Sequence, residues 1–300
     1  LLLKELIKLN MTKYFQTISP RKKSILLILT TILLFSMMDA IAKFLVQTYP
    51  SNQVVWARYM SQTVVSIIVL SPILHKVLVT KNFKLQLLRS TFLFFATFFF
   101  FTSLKYMQLA EVNAIFQVGP IFVIFLSAIV LKEYVDIQKW GGGIVGMLGA
   151  LIIIRPGSDV FSITMVLPAI AALCYASYVI STRYLSQEEP AVTNFIYSSL
   201  IGSILASILV IPSWTPINTE DLFVFSGFGL LGALGHILLI YAFRMSEASF
   251  LAPFIYMNLV YGSLWGFFLF DEIPSFFTIS GAAVIVSSGI YIWIRDQKLK

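Results

Sequence analysis

Three charged residues stand inside otherwise apolar stretches of the chain: Asp39, Lys43 and Arg58. A charge at bilayer depth is costly, so it is normally retained where it faces a partner or a wet cavity. Asp39 and Lys43 are one helical turn apart and share a helix face. The pattern predicts a cluster of the three side chains. In this cluster Asp39 either contacts a cation or carries a proton, or it forms a structural ion pair that joins two helices.

Amide side chains form a second candidate group. Asn113 and Gln117 are spaced i, i+4 on one helix face, and Pro120 lies just beyond them. One interpretation is interhelical hydrogen bonding, which averages only about 0.6 kcal/mol per bond in membranes. The other is that the proline loosens the helix beside a cavity, where both amides contact a solute. We keep both interpretations and name both amides as candidate solute contacts.

Aromatic and polar residues on other segments complete the candidate set. Aromatic faces can hold a flat or cationic solute by stacking and cation–π contacts, worth about 0.5–2 kcal/mol each. The competing interpretation of the aromatic residues is that they form interfacial belts or ordinary packing. For His236 the competing interpretation is a structural hydrogen bond. The predicted solute contacts of this group are Trp56, Tyr175, Tyr178, His236, Tyr256 and Asn258.

The sequence argues against enzymatic and metal-dependent function. Two histidines and one cysteine, Cys174, give no metal-ligand spacing and no internal disulfide. The HExxH zinc motif, the phosphate-binding GxxxxGK[ST] loop and the GxSxG nucleophile motif are all missing from the sequence. We therefore expect no catalytic residues, no metal site and no tightly bound cofactor.

The composition indicates that lipid is the solvent of this chain. Of its 300 residues, 58% are hydrophobic and 12% charged, with a mean hydropathy of +0.89. Ordinary soluble domains carry roughly 25% charged residues. A soluble core of this length could not hide so much apolar surface. The net charge of +7 would suggest nucleic acid in a soluble protein, but its distribution along the chain fits a membrane topology better, so we expect no nucleic-acid partner.

Apolar segments of about 20 residues, the length that crosses a bilayer, recur between short polar turns. They predict an all-α membrane protein with ten transmembrane helices. The predicted helices cover residues 24–47, 52–73, 87–106, 112–131, 137–154, 164–184, 192–211, 222–243, 250–270 and 277–294.

The distribution of basic residues predicts the orientation. Most of the 21 Lys and Arg residues fall on one side of the predicted helices, together with both termini, and this side is predicted to be cytoplasmic. Residues 1–23 read as a basic cytoplasmic tail without the features of a signal peptide. Since Met11 opens a conventional start, residues 1–10 are expected to lie upstream of the native start.

The apolar pattern occurs twice, which predicts one repeat over residues 24–160 and another over 161–300. An odd number of helices per repeat turns the second repeat upside down relative to the first. Inverted repeats of this kind are typical of secondary transporters, with the binding site between the halves. The equivalent positions, 139 or 140 residues apart, are Lys43 and Arg183, Pro50 and Pro190, Lys105 and Arg244, Lys132-Glu133 and Asp271-Glu272, and Gly142 and Gly281.

The same positions resemble the EamA domain of the drug/metabolite transporter superfamily. The resemblance covers residues 24–294 and implies a gradient-coupled carrier or exporter of small metabolites. It also implies a cavity lined by the first, third, fourth, sixth, eighth and ninth predicted helices. The run from Met38 to Leu45 is similar to the first helix of S-adenosylmethionine and riboflavin carriers. The resemblance rests on Arg58, Ser103-Leu104-Lys105-Tyr106-Met107, Ala110, Pro120 and Lys132-Glu133, and in the second copy on Ala242-Phe243-Arg244, Ala252-Pro253, Asp271-Glu272 and Gly281.

These observations predict a secondary-active transporter of a small polar metabolite that works by alternating access. The solute is expected to be amino-acid-like, S-adenosylmethionine-like or riboflavin-like, imported or exported, with protons as the candidate coupling ion. The expected setting is a bacterial-type inner membrane, with the protein as a monomer or homodimer. Structural roles are expected for Pro120, Glu133, Pro253 and Glu272. The alternatives are an uncoupled channel or facilitator, a membrane enzyme or lipid-handling protein, and a non-transporting assembly subunit.

Overall fold

A computed structural model describes residues 20–132, 137–155, 162–251, 254–255 and 257–299. The structure is 85% helix, and the described residues contain no strand. The predicted all-α class is therefore confirmed. Four predicted features lie outside the described residues: most of the basic tail, Glu133, Pro253 and Tyr256.

Each half of the chain supplies a similar series of helices, which we number in chain order. The helices of the first half are α1 (Pro20–Val46), α2 (Ser51–Leu70), α3 (Leu74–Val77), α4 (Phe83–Leu104), α5 (Leu109–Phe116), α6 (Gly119–Val130) and α7 (Ile137–Ile154). Those of the second half are α8 (Val166–Leu185), α9 (Ala191–Val210), α10 (Leu222–Met245), α11 (Ala248–Leu251), α12 (Met257–Phe270) and α13 (Phe276–Leu299).

Seven helical segments of the described chain are long and apolar enough to cross a membrane. Three further apolar helices are shorter, because they span only 10–17 described residues. The long segments are Pro20–Val46, Ser51–Val77, Phe83–Leu104, Leu109–Val130, Ile163–Leu185, Ala191–Ser213 and Leu222–Met245, and the shorter ones are Trp140–Ile154, Met257–Phe270 and Phe276–Tyr291.

Helix ends coincide between the two halves. Pro50 precedes α2 with φ −55° and ψ 141°, and Pro190 precedes α9 with φ −60° and ψ 142°. Both helices are 20 residues long, and each runs into a 3-10 turn that has proline at its start. Proline suits these positions because it lacks the N–H that a helix start leaves unbonded. The equivalence seen in the sequence thus extends to the backbone.

The turn after the fourth predicted helix and the turn after the ninth have the same unusual torsion. Lys132 has a φ of 56° and Asp271, its equivalent, has a φ of 52°. This left-handed region is uncommon for residues other than glycine. The two halves therefore share a backbone path at positions whose side chains carry opposite charges.

The two halves interlock rather than lie side by side. Helix α1 packs along α10, and the equivalent helix of the second half, α8, packs along α4. Helices α7 and α13, which are equivalent to each other, also pack together. A Cβ atom added at Gly149 of α7 would overlap the carbonyl oxygen of Gly281 in α13, so the two backbones approach closely there.

The first half interrupts a helix near its centre. Helix α5 ends at Phe116 and α6 begins at Gly119, with Pro120 in its first turn, where no intrahelical N–H is needed. In the second half the described residues 254–255, between α11 and α12, adopt the 3-10 rather than the α conformation. Broken helices at membrane depth occur where they are buried in protein or line a cavity.

Candidate functional site

A central cavity lies between the two halves. Its wall combines residues of α1, α2, α4 and α5 with residues of α8, α10 and α12. Its free volume in this conformation is about 80 Å³, below the usual range of about 300–1,000 Å³ for small-molecule sites, so a metabolite can occupy it only when the surrounding helices move apart. The cavity wall is mostly apolar with a few polar side chains, as is usual for such sites. Five of the predicted site residues line it: Asp39, Arg58, Tyr175, His236 and Asn258.

Arg58 is held at the cavity wall by neutral groups. Its Nη1 donates to Thr97 Oγ1 at 2.9 Å, and its Nη2 lies 2.5 Å from Nε2 of His236. The guanidinium also lies 4.4 Å from the ring centre of Tyr59. The side chain is 1% exposed, yet its Nε has no hydrogen-bond partner. The described carboxylates do not come within ion-pair distance of this guanidinium.

The contact with Arg58 sets the protonation state of His236. A guanidinium has only donors, so Nε2 of the imidazole must be the acceptor of this hydrogen bond. A neutral imidazole then carries its proton on Nδ1, which lies 3.3 Å from the Tyr178 hydroxyl. In this conformation His236 is therefore a neutral bridge between Arg58 and Tyr178.

Tyr178 continues the network to a second buried arginine, Arg89, which is 0% exposed. The Tyr178 hydroxyl accepts from Nη2 of Arg89 at 3.3 Å, and its ring centre lies 4.8 Å from the guanidinium carbon. The rest of the Arg89 guanidinium donates to neutral acceptors of α8 and α9. These acceptors are Thr182 Oγ1 at 2.7 Å, the Asn194 carbonyl at 2.8 Å and Ser198 Oγ at 2.9 Å.

Asp39 faces the cavity from α1 and is 6% exposed. Its carboxylate interacts with the side chain of Asn258 and lies within the electrostatic reach of Arg58. Asn258 in turn donates through Nδ2 to Oδ1 of Asn113 at 2.6 Å. Asn113 thus lies one layer behind the wall, where it holds the residue next to Asp39.

Lys43 does not join the predicted cluster. Its Nζ lies 2.6 Å from Oε1 of Glu272 and donates to the Met107 carbonyl at 2.7 Å. The other Glu272 oxygen accepts from the backbone N–H of Leu109 at 2.7 Å and so caps α5. The predicted clustering of Lys43 with Asp39 and Arg58 is therefore corrected. Glu272 connects α1 to the start of α5.

Trp56 also lies away from the cavity. Its indole Nε1 donates to Ser207 Oγ at 3.1 Å, and its ring meets Trp214 edge to face at 4.9 Å between centres. Both contacts belong to the packing of α2 against α9 and the loop that follows α9. Because Trp56 does not line the described cavity, its predicted solute contact is not supported by its position.

Gln117 lies at the break between α5 and α6. Its side chain is 0% exposed, and neither Nε2 nor Oε1 has a hydrogen-bond partner. Gln117 does not line the cavity itself, whereas its neighbour Phe116 does. The amide is therefore buried and unpaired one residue away from the wall.

Several wall residues were not predicted. Phe35 from α1, Phe100 and Phe101 from α4, and Phe116 from α5 supply much of the apolar surface. Phe100 and Phe101 belong to a run of four phenylalanines, in which composition alone cannot separate cavity, packing and lipid faces. Thr97 in the wall was also missed, as was Arg89 in the network behind it. Arg89 lies at the start of an apolar segment and was counted only with the basic residues of the cytoplasmic side.

Comparisons with known proteins agree with this architecture. The profile of the EamA-like transporter family matches the chain twice, over residues 22–155 and 162–294. A solved crystal structure superposes with a TM-score of 0.71 over 93% of this chain and 99% of its own, at 20% sequence identity. That likeness concerns the fold alone.

Three relatives with assigned solutes are similar over nearly their whole length. A riboflavin transporter of Vibrio cholerae is 28% identical, covering 90% of this chain and 92% of its own. An S-adenosylmethionine uptake transporter of Rickettsia bellii is 25% identical, covering 87% and 89%. A pseudopaline exporter of Pseudomonas aeruginosa is 25% identical, covering 88% and 94%. These names denote transporters rather than enzymes, and they include both uptake and export.

Proposed function

Because the chain belongs to the EamA-like transporter family, we propose that it is a secondary-active transporter that moves a small polar metabolite through the central cavity. The observation that carries this proposal is the cavity between the two halves, with Asp39 and Arg58 in its wall. A membrane protein retains buried charges at a cost, so charges that face a cavity favour a role in solute or ion passage.

The mechanism we propose is alternating access. The interruption between α5 and α6 in the first half and the 3-10 residues 254–255 in the second half lie near equivalent positions of the two copies. Paired discontinuous helices of this kind mark the binding region of many carriers with inverted repeats. Gln117, buried without a partner at the first break, is proposed to contact the solute when the break rearranges.

Asp39 is proposed to couple transport to protons or to a cationic group of the solute. It is a titratable side chain on the cavity wall, and its contact with Asn258 is with an amide rather than with a cation. His236 is a weaker candidate for this role, because its Nε2 accepts from a guanidinium and a proton there would meet a positive charge.

The proposed topology has ten spans, with both termini in the cytoplasm of a bacterial-type inner membrane. The seven long helices would be joined by α7, α12 and α13, and the repeats over 24–160 and 161–300 would be inverted. A Cys174→Ser background allows single cysteines to be placed at exposed loop positions. With an impermeant maleimide on intact cells, Glu220→Cys should react and Lys81→Cys should react only after permeabilisation. Equal labelling of both would contradict the topology.

The transport proposal is tested by reconstitution into liposomes. S-adenosylmethionine and riboflavin are the first solutes to measure, since relatives are named for them. A carrier gives saturable uptake that is accelerated by unlabelled solute on the opposite side. Flux that rises linearly with concentration would indicate a channel. Failure to move any solute, together with co-purification of a partner protein, would indicate an assembly subunit.

A further inference from the structure

Arg58 and Arg89 are both buried arginines without a carboxylate partner among the described residues, but their donors are used differently. The Nε and both terminal nitrogens of Arg89 are bonded to Thr182, Asn194, Ser198 and Tyr178. Arg89 therefore has the contacts of a structural residue. Arg58 uses only its two terminal nitrogens, and its Nε is buried without a partner.

The two arginines also differ in position. Arg58 lines the cavity, whereas Arg89 does not belong to the cavity wall. An unused donor on a buried guanidinium is expensive to keep, because the group has lost water without gaining an acceptor. A ligand that enters the cavity with an anionic group would supply that acceptor. Guanidinium groups are well suited to this because their donors form a planar fork that matches a carboxylate.

Asp39 does not already supply the anion. It lies within the electrostatic reach of Arg58 but forms no ion pair with it, and its side chain interacts with the amide of Asn258. A direct pair would cancel both charges within the protein. Because they are not paired, the two side chains give the cavity wall one positive and one negative group.

The rest of the wall favours a compact apolar body in the solute. Phe35, Phe100, Phe116 and Tyr175 surround the space between α1, α4, α5 and α8. Phe100 and Phe116 meet at 5.0 Å between ring centres, and Phe116 and Tyr175 at 5.5 Å. An apolar solute body that carries one anionic and one cationic group would satisfy both charged side chains at once.

We infer that Arg58 binds a carboxylate of the transported solute while Asp39 binds a cationic group, so that the solute class is a zwitterion of the amino-acid type. This inference rests on the proposed transport function and narrows its substrate class. A doubly charged phosphate is a poorer fit, because its second negative charge would face Asp39 without a partner. A neutral solute would leave the Arg58 guanidinium unpaired.

Binding to the purified full-length protein in nanodiscs tests the inference with probes that differ by one carboxylate. The first pair is S-adenosylmethionine and its decarboxylated form, and the second is L-phenylalanine and phenethylamine. Riboflavin, which carries neither charge, is the fifth probe. Wild-type protein should bind the preferred carboxylate-bearing probe about tenfold to hundredfold more tightly than its decarboxylated partner, the range expected for loss of a charge-assisted contact.

Variants then assign that difference to Arg58. In Arg58→Gln the preference for the carboxylate should fall to about twofold or less, while affinity for the decarboxylated probe should stay close to the wild-type value. Arg58→Lys should keep part of the preference, because it retains the charge without the fork. Lys81→Gln is the matched control, since it removes one positive charge at an exposed loop and should leave every ratio unchanged.

Wild-type binding alone decides the inference if the Arg58 variants fail to fold. Equal affinity within both pairs, binding of riboflavin alone, or no binding of either carboxylate-bearing probe would overturn it. The transport measurement is separate. Loss of affinity on decarboxylation without saturable transport of any probe would overturn the transporter and leave the anion site standing. Saturable transport of riboflavin alone would support the transporter and overturn the proposed anion site.

Discussion

The Nζ of Lys43 lies 2.6 Å from Oε1 of Glu272, although the two residues are far apart in the sequence. Since the second oxygen of Glu272 accepts the N–H of Leu109, one carboxylate connects α1, the end of α12 and the start of α5. The pair is largely buried, with side chains 7% and 11% exposed. Buried pairs are costly to break from one side, because the remaining charge is left without compensation.

We therefore expect Lys43→Met to lower the free energy of unfolding by about 2 kcal/mol, somewhat less than for a fully buried pair. The double variant Lys43→Met/Glu272→Gln should be more stable than Lys43→Met alone, because the neutral amide oxygen still accepts from Leu109. Thermal unfolding in detergent measures both values. Strictly additive losses in the double variant would show that the two side chains are not coupled.

The neutral state of His236 predicts how its variants behave. Glutamine can place an acceptor near Nη2 of Arg58, whereas leucine cannot. We expect His236→Gln to retain at least about a tenth of wild-type transport and His236→Leu to lose about a hundredfold, consistent with an unpaired buried charge. The pH profile of uptake is the sharper readout. It should keep its shape in His236→Gln, and a profile that flattens would mean that the imidazole carries the coupling proton.

Asp39→Asn tests the coupling role of the carboxylate. Asparagine preserves the size and hydrogen-bonding capacity of the side chain but cannot carry a proton or a charge. We expect proton-driven accumulation of solute to be lost or uncoupled from the gradient, with expression unchanged. Asp39→Glu, which keeps the charge, is the matched control and should retain part of the activity. Normal proton-dependent uptake by Asp39→Asn would remove this residue from the mechanism.

The left-handed torsion of Asp271 predicts an effect of opposite sign for two substitutions. Asp271→Gly should raise the free energy of unfolding by up to about 1 kcal/mol, because glycine adopts positive φ without a steric cost. Asp271→Val should lower it by at least as much, since a β-branched residue fits this region poorly. Thermal unfolding measures both, and Lys132→Gly should repeat the gain in the first half. Destabilisation by glycine at both turns would contradict the strain argument.

The glycines of α7 predict position-dependent effects of the same mutation. At Gly149 an added methyl group would overlap the backbone of α13, so Gly149→Ala should cost about 1–3 kcal/mol. At Gly141 nothing lies within 4 Å of the added atom, and alanine should be neutral or stabilise the helix by up to about 1 kcal/mol. Similar effects at the two positions would show that α7 and α13 are not packed as described.

Local signals predicted the helices well. Runs of apolar residues and the prolines that open α2 and α9 depend on neighbours in the sequence, and their positions agree with the structure to within a few residues. The equivalence of Lys132 and Asp271 was likewise visible as an offset between two copies. In each case the physical cause acts within a few residues of the chain.

Contacts between the halves could not be predicted in the same way. Lys43 was placed in a cluster with Asp39 and Arg58 because it lies one turn from Asp39, whereas its partner Glu272 comes close only when α1 meets the end of α12. Arg89 was counted with the basic residues of the cytoplasmic side because it lies at the start of a predicted helix, yet α4 begins at Phe83 and places Arg89 at a buried position. For a run of phenylalanines, the rotation of the helix decides which rings face the cavity, and composition does not reveal it.

The buried charge of Arg89 has a consequence for how the protein responds to membrane voltage. Its guanidinium stays charged and is enclosed by neutral acceptors, so its charge moves with α4 and α8 whenever these helices move. Moving one elementary charge across a full potential of 100 mV corresponds to about 2.3 kcal/mol of electrical work. The membrane voltage should therefore act on each step that carries Arg89 along the membrane normal, including the return of the empty protein. Over a full cycle this charge comes back to its starting place, so the net charge moved is that of the solute and the coupling ions.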